Sequence, residues 1–188
     1  MSKKKLVVNL FAGPGAGKTT CAWAIAAELK KRNIHTEYVP EYAKELVWDE
    51  DYQALADQEG IFAEQTHRID RLIGKVDVIV TDSPILFSEI YGQDNSMEFQ
   101  QRIWDAHNSH ENFNLFIKRG NYFEQQGRIH NLEESVAIDR QIKDLLERNN
   151  VYYGTYYHST LPVVVENIIT TLNRIHVEEN DQDEEMEL

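Results

Sequence analysis

Apolar positions along the chain fall into runs of two kinds. Short, nearly unbroken runs occur at Lys5–Phe11 (KLVVNLF) and Val76–Thr81 (VDVIVT), the pattern of strands buried on both faces of a parallel sheet. Shorter ones at Thr36–Pro40, Asn114–Ile117 and Val151–Tyr157 predict three further strands. Between them the apolar residues recur at helical spacing. Ala22, Ile25, Ala26 and Leu29 share a face over Lys18–Arg32, and Phe62, Ile69 and Ile73 share one in a polar stretch running from Tyr42 to Ile73. Phe99 and Ile103 lie one turn apart within Ser96–His107, and Ile138, Ile142, Leu145 and Leu146 form a stripe over Leu132–Asn149. Val165, Ile168, Ile169, Leu172 and Ile175 mark a last helix that starts near Pro162, with Thr160 or Leu161 outside it. Strands alternating with helices predict an α/β fold: a parallel five-stranded sheet with helices on both faces. Ligands of such sheets bind beyond the carboxyl ends of the strands, so the loops after Phe11, Pro40, Thr81 and Ile117 are expected to surround one cleft.

The loop after the first strand carries the most specific chemistry. Ala12-Gly13-Pro14-Gly15-Ala16-Gly17-Lys18-Thr19 fits the Walker A pattern, with Ala in place of its first Gly, and it lies between a predicted strand and a predicted helix, as that motif requires. Its glycines let successive N–H groups turn toward phosphate oxygens, and the helix that follows adds its positive end. Lys18 supplies a cation for the β- and γ-phosphates and the Thr19 hydroxyl can ligate Mg²⁺. Gly13, Pro14, Gly15, Ala16, Gly17, Lys18, Thr19 and Thr20 are the expected nucleotide-binding residues. The fold class is therefore that of P-loop NTPases of the nucleoside or nucleotide kinase type, with a short lid. Asp82 ends the second strong strand and fits Walker B, holding Mg²⁺ directly or through water; as Asp-Ser-Pro it also suits a turn. Ser83, not Glu, follows it, which counts against an ATPase that polarises water with a paired Glu.

Glu41 follows the second strand and Pro40, where an acid can accept or orient a substrate hydroxyl. The sequence leaves open whether Glu41 or Asp82 is the base. Tyr42, on the same turn, Gln65 and Arg68, one turn apart in the next helix, and Ser83 are the further candidates for contact with an acceptor. Phosphoryl transfer also needs cations over the γ-phosphate. Lys118–Arg128 (KRGNYFEQQGR) follows a strand, contains two glycines and offers Arg119 and Arg128 as lid residues. The expected catalytic set is Lys18, Glu41, Asp82 and Arg128; Arg119 and Arg128 complete the nucleotide contacts, and Thr19 and Asp82 the metal site.

Charge and composition narrow the setting. The net charge is −13, and Glu178–Leu188 holds seven acids and no base. We read residues 1–177 as one kinase domain and 178–188 as an acidic, disordered, solvated tail. The acidic body offers no broad nucleic-acid surface. No apolar run approaches the roughly 18 residues a membrane span needs. Cys21 is the single cysteine, which suits a reducing, cytoplasmic setting. Homo-oligomerisation is left open.

Four segments in order, NLFAGPGAGKTT, VPEYAKEL, VDVIVTDSP and FIKRGNYFEQQGR, resemble the small P-loop kinases related to the ribosylnicotinamide kinase domain and, more distantly, the deoxyribonucleoside kinases. The resemblance is closest to a bacteriophage branch that includes the 5-hydroxymethyluridine DNA kinases. It implies Mg²⁺ and ATP as cofactors, a nucleoside-like acceptor, which in that branch is a base flipped out of DNA, and the cytoplasm of an infected host cell. Many nucleoside kinases carry Arg where Ser83 stands here, so that anion contact must come from elsewhere, Arg128 or Arg68. An ATP-hydrolysing regulator that binds a protein partner is the competing class. Removing residues 178–188 is expected to leave turnover essentially unchanged, as rate assays on the shortened chain would show.

Overall fold

The computed structural model describes residues 5–92, 96–120, 123 and 129–186. The elements follow in order: β1 (Leu6–Phe11), α1 (Lys18–Lys31), β2 (Thr36–Val39), α2 (Tyr42–Trp48), α3 (Tyr52–Ala56), α4 (Gln58–Asp70), β3 (Val78–Thr81), α5 (Phe87–Tyr91), α6 (Met97–Asn108), β4 (Glu111–Ile117), α7 (Leu132–Arg148), β5 (Gly154–Tyr156) and α8 (Leu161–Met186). The five strands form one sheet in the order β2-β3-β1-β4-β5, with every pairing parallel. The α/β fold with a parallel five-stranded sheet is as the pattern predicted.

Strand β1 is buried along its whole length, because its two faces feed two separate cores. Leu6, Val8 and Leu10 pack with Cys21, Ile25 and Leu29 of α1 and Val165, Ile168 and Leu172 of α8. Val7 and Phe11 pack on the other face with Ile69, Leu86, Ile103, Ile142 and Leu146. The one polar member, Asn9, stands opposite Asn114 of β4. Its Nδ2 donates to Asn112 Oδ1 at 2.8 Å and Asn114 Oδ1 at 3.0 Å, and Asn114 donates on to the Tyr152 carbonyl. A register slip would strand these amides in an apolar layer, so they pin β1 against β4.

Several boundaries depart from the pattern. The stretch expected as one helix from Tyr42 to Ile73 is three helices. Asp51 and Asp57 accept from the backbone N–H of Ala54 and Gly60 and so start α3 and α4, while Glu50 takes a left-handed φ of 55°. Aspartates that cap new helices read in the sequence as ordinary polar positions of a longer one. The Asp77 side chain accepts from the His35 N–H and lies just before β3. Strand β4 begins earlier than expected, at Glu111, and β5 is shorter. Helix α8 begins with Leu161, which was expected outside it, and runs on to Met186, through most of the segment expected to be a solvated tail. No helix of the described residues is long and apolar enough to cross a membrane.

One corner of the fold carries a titratable load. His107, at the end of α6, is buried beside Trp104, and His110 follows with Nε2 3.4 Å from Asp70 Oδ1. Burial, helped by the neighbouring His110, pulls His107 from 6.5 down to about 4. The unfolded chain therefore takes up a proton that the folded chain refuses as pH falls from 6.5 toward 4. Stability from this residue is complete above pH 6.5 and is lost through that window, by up to roughly 3 kcal/mol. Urea midpoints measured from pH 7.5 to 4.5 should fall more steeply for the wild type than for His107→Gln.

Candidate active site

The loop between β1 and α1 turns through two left-handed residues, Gly15 at φ 72° and Gly17 at φ 92°, which is why glycine is needed at both. Gly17 caps α1, so the loop delivers the positive end of that helix to its concave side. Lys18 is buried, and its ammonium folds back to donate to the Ala12 carbonyl at 3.0 Å and the Gly13 carbonyl at 3.4 Å. It also lies 5.4 Å from the centre of the Phe87 ring. Thr20 is exposed on α1 and is not part of the described cavity wall.

Thr19 and Asp82 meet at the ends of α1 and β3. The Thr19 hydroxyl donates to Asp82 Oδ2 at 2.5 Å. Asp82 is 1% exposed, and its Oδ1 has no hydrogen-bond partner among the described residues. A buried carboxylate oxygen without a partner is costly, by about 1–3 kcal/mol or more for a charged group. A hydroxyl beside a half-satisfied carboxylate is the hard-oxygen donor pair that Mg²⁺ takes. The residues present fit that ion, and Thr19 and Asp82 would hold it. Tyr38 of β2 stands next to them: burial first, then the Asp82 carboxylate, pushes its phenol well above the usual range.

A cavity of about 410 Å³ runs from this loop into a chamber under α2–α5. Pro14, Gly15, Gly17, Lys18 and Thr19 line its donor end, and Glu41, Lys44 and Ser83 the neighbouring strand ends. Val47, Leu55, Ile61, Phe62, Ile85 and Ile90 make the rest of the chamber largely apolar. Glu41 is the N-cap residue of α2, which explains its position at the rim. Tyr91, also in the wall, is half-buried, and its desolvation with the nearby charges of Glu41 and Asp139 raises its phenol.

Other expected acceptor residues are engaged elsewhere. Gln65 reaches the wall, but its amide ties the β2–α2 turn to β3. It accepts from the Tyr42 N–H at 3.1 Å and donates to the Pro40 carbonyl at 3.3 Å. Arg68 does not line the cavity. It forms a two-pronged pair with Glu45 at 2.7 and 2.8 Å, a bond to Glu64 at 2.7 Å, and lies over the Tyr42 ring. Tyr42 is thereby turned to the α2–α4 interface and is likewise absent from the described wall. Of the carboxylates that claim Arg68, Glu64 lies one turn back along α4 at ordinary helical spacing, whereas Glu45 comes across from α2, a long-range match that helical spacing does not reveal.

Arg119 is at the loop, as expected, though it faces protein rather than the cavity. It donates to the Pro14 carbonyl at 2.8 Å and pairs with Asp139 of α7. Arg128 lies outside the described residues. Asp139, Tyr38, Phe87 and Tyr91 are site residues that sequence reasoning missed. Asp139 sits between the core positions Ile138 and Ile142, where an acid looks like an ordinary solvated residue of an amphipathic helix. Phe123 packs its ring over Gly15, so that a Cβ there would lie 2.4 Å from it.

A family model described as "AAA domain" matches residues 7–157. No curated protein matches the sequence. Among solved structures, a NadR protein in complex with NR superposes with a TM-score of 0.63 at 17% identity, over 86% of this chain and 51% of that one. The chain thus spans about half the length of that neighbour. A thymidylate kinase from Ehrlichia chaffeensis superposes with a TM-score of 0.59 at 14% identity, over 90% of this chain and 99% of that one. At these identities the likeness is one of fold.

Replacing Asp82 by Asn is expected to raise the Mg²⁺ concentration that half-saturates ATP binding by about tenfold or more. Calorimetric ATP titrations at several Mg²⁺ levels would check this, with circular dichroism reporting the fold.

Proposed function

The chain belongs to the AAA domain family, and on that premise we propose that it is a Mg²⁺-ATP-dependent kinase that transfers the γ-phosphate to a hydroxyl of a nucleoside-like acceptor. The observation that carries this reading is the continuity of the cavity, which joins Lys18 and Thr19 at the phosphate loop to a partly open chamber with Glu41 in its wall. A donor phosphate and an acceptor hydroxyl can face each other only in such a shared space.

The roles divide by geometry. Lys18 neutralises charge on the transferred phosphoryl group. Asp82 is committed to Thr19 and the metal position, and is not part of the described wall. Glu41 is in the wall, and so takes the role of base. The acceptor oxygen bonds to the γ-phosphorus, the bond from that phosphorus to the bridging oxygen breaks, ADP leaves, and the hydroxyl proton passes to Glu41.

The lysine and arginine side chains among the described lining residues are Lys18 and Lys44. Arg68 is neutralised by Glu45 and Glu64, and Ser83 stands where an arginine would serve an anion. This favours an uncharged acceptor over a nucleoside phosphate. The finer reading is that the acceptor is the hydroxymethyl group of 5-hydroxymethyluridine in phage DNA. It is supported by the four sequence segments, and by a chamber whose apolar walls suit a flat base. A free nucleoside or ribosylnicotinamide is the next choice within the class.

Incubation with γ-labelled ATP and a panel of hydroxymethyluracil DNA, its free nucleoside, nucleotides and ribosylnicotinamide tests the proposal. Label is expected on hydroxymethyluracil DNA, and Lys18→Ala should lower transfer by about a hundredfold or more without unfolding the chain. Label found only as free phosphate across the panel would point instead to an ATP-hydrolysing regulator.

A further inference from the structure

Two successive residues of the phosphate loop, Gly13 and Pro14, are held from outside it. The Gly13 N–H donates to Asp139 Oδ1 at 2.6 Å. The Pro14 carbonyl accepts from an Arg119 terminal nitrogen at 2.8 Å. Asp139 and Arg119 in turn hold each other, with Asp139 Oδ2 accepting from Arg119 Nε at 3.0 Å and from its second terminal nitrogen at 2.9 Å. The four groups close a ring that joins β1, the end of β4 and α7. The two side chains are only 13% and 17% exposed, so the pair is shielded and its hydrogen bonds are charge-assisted. Gly13 also lies so close to α7 that a Cβ there would sit 2.2 Å from the Ser135 carbonyl oxygen.

We propose that Asp139 is a positioning residue for the phosphate loop: with Arg119 it locks the Gly13–Pro14 segment and so presets the N–H groups that follow for a polyphosphate. The reading rests on the loop binding ATP. The reason a lock is needed is local. Beyond Pro14 the loop runs through two glycines with positive φ, and glycine is the residue with the most conformational freedom to lose. A free loop of that composition would have to lose this freedom when the nucleotide bound, and the cost would appear as weaker affinity. Held at its entrance by Asp139 and Arg119 and at its exit by α1, the loop has already lost it. The same stretch of α7 places Ile138 and Gln141 in the cavity wall, so the residues flanking Asp139 face the acceptor while Asp139 itself faces the donor.

A purely structural role, fastening α7 to the sheet, would lower stability and leave nucleotide affinity alone. Calorimetric MgATP binding and steady-state kinetics on wild type, Asp139→Ala, Asp139→Asn and Arg119→Ala separate the two. Asp139→Ala removes both bonds and should weaken MgATP binding by at least about fivefold, with a matching rise in KM for ATP and little change in KM for the acceptor. Asp139→Asn keeps an acceptor for Gly13 and loses the ion pair, so its loss should be smaller, about threefold. Arg119→Ala added to Asp139→Ala should cost little more, since the two act as a unit. MgATP affinity in Asp139→Ala within fivefold of wild type, with a lowered melting temperature for the nucleotide-free protein, would overturn the proposal. If that variant does not fold, Asp139→Asn decides by the same comparison, an affinity equal to wild type counting against it. Wild-type protein that bound no MgATP would overturn this proposal and the kinase reading together, whereas unchanged affinity in the variants would leave the kinase reading standing.

Discussion

A strand buried on both faces can carry no polar side-chain chemistry along its length except what its neighbours satisfy, so its chemistry must gather at its end. Strand β1 meets that constraint twice over. Its single interior polar residue, Asn9, is satisfied by Asn112 and Asn114, and its carboxyl end opens directly into the glycine-rich loop. With α1 and α8 on one side and α4–α7 on the other, the strand cannot shift without breaking both cores. The position of Lys18 and Thr19 is thus inherited from the most deeply buried element of the molecule, and every other site residue is arranged around it. Asp82 comes from β3 and Arg119 from just past β4, the two strands that flank β1 in the sheet. Glu41 comes from just past β2, one strand further out.

The electrostatics at that end suit a ligand that carries both signs of charge. Lys18 is buried, with the Ala12 and Gly13 carbonyl oxygens and the Phe87 ring around its ammonium. Asp82 is more deeply buried still, with one oxygen committed to Thr19 and the other without a hydrogen bond among the described residues. Asp82 Oδ1 calls for a cation, and the loop at the positive end of α1 calls for an anion. Nucleotide polyphosphate with its metal carries both signs in one ligand. The raised phenol of Tyr38 belongs to the same picture, because a neutral hydroxyl beside Asp82 leaves that carboxylate's charge uncancelled.

What could be read in the sequence divides along the range of the interactions. The loop and Asp82 were legible because their chemistry is local: glycines, a lysine and a hydroxyl in fixed succession, and an acid at the end of an apolar run. Glu41 was legible because it ends a strand predicted to border the cleft. Arg68 and Gln65 were not, since what decides their role lies elsewhere: Glu45 on α2 for one, the Pro40 carbonyl and the Tyr42 N–H for the other. Asp139 is the strongest case, meeting Gly13 across 126 residues of sequence from a position that helical spacing alone would leave solvated. Long-range polar pairs carry no period, so hydrophobic patterning cannot find them.

On the proposed kinase reading, the make-up of the chamber bears on how transfer would compete with hydrolysis. Turning a phosphate-binding loop into a hydrolase needs a water held in line, and holding one takes polar groups aimed at it. Beyond Glu41, Lys44 and Ser83 the chamber presents both polar side chains, Gln58, Gln65, Ser88 and Gln141 among them, and the apolar Val47, Leu55, Ile61, Phe62, Ile85 and Ile90, which gain by expelling water. On that reading, an acceptor with a flat apolar body and one hydroxyl would lay its body on the aliphatic and aromatic side chains and bring its hydroxyl to Glu41. Filling the chamber also removes the competing nucleophile, since the water displaced is the water that would otherwise attack.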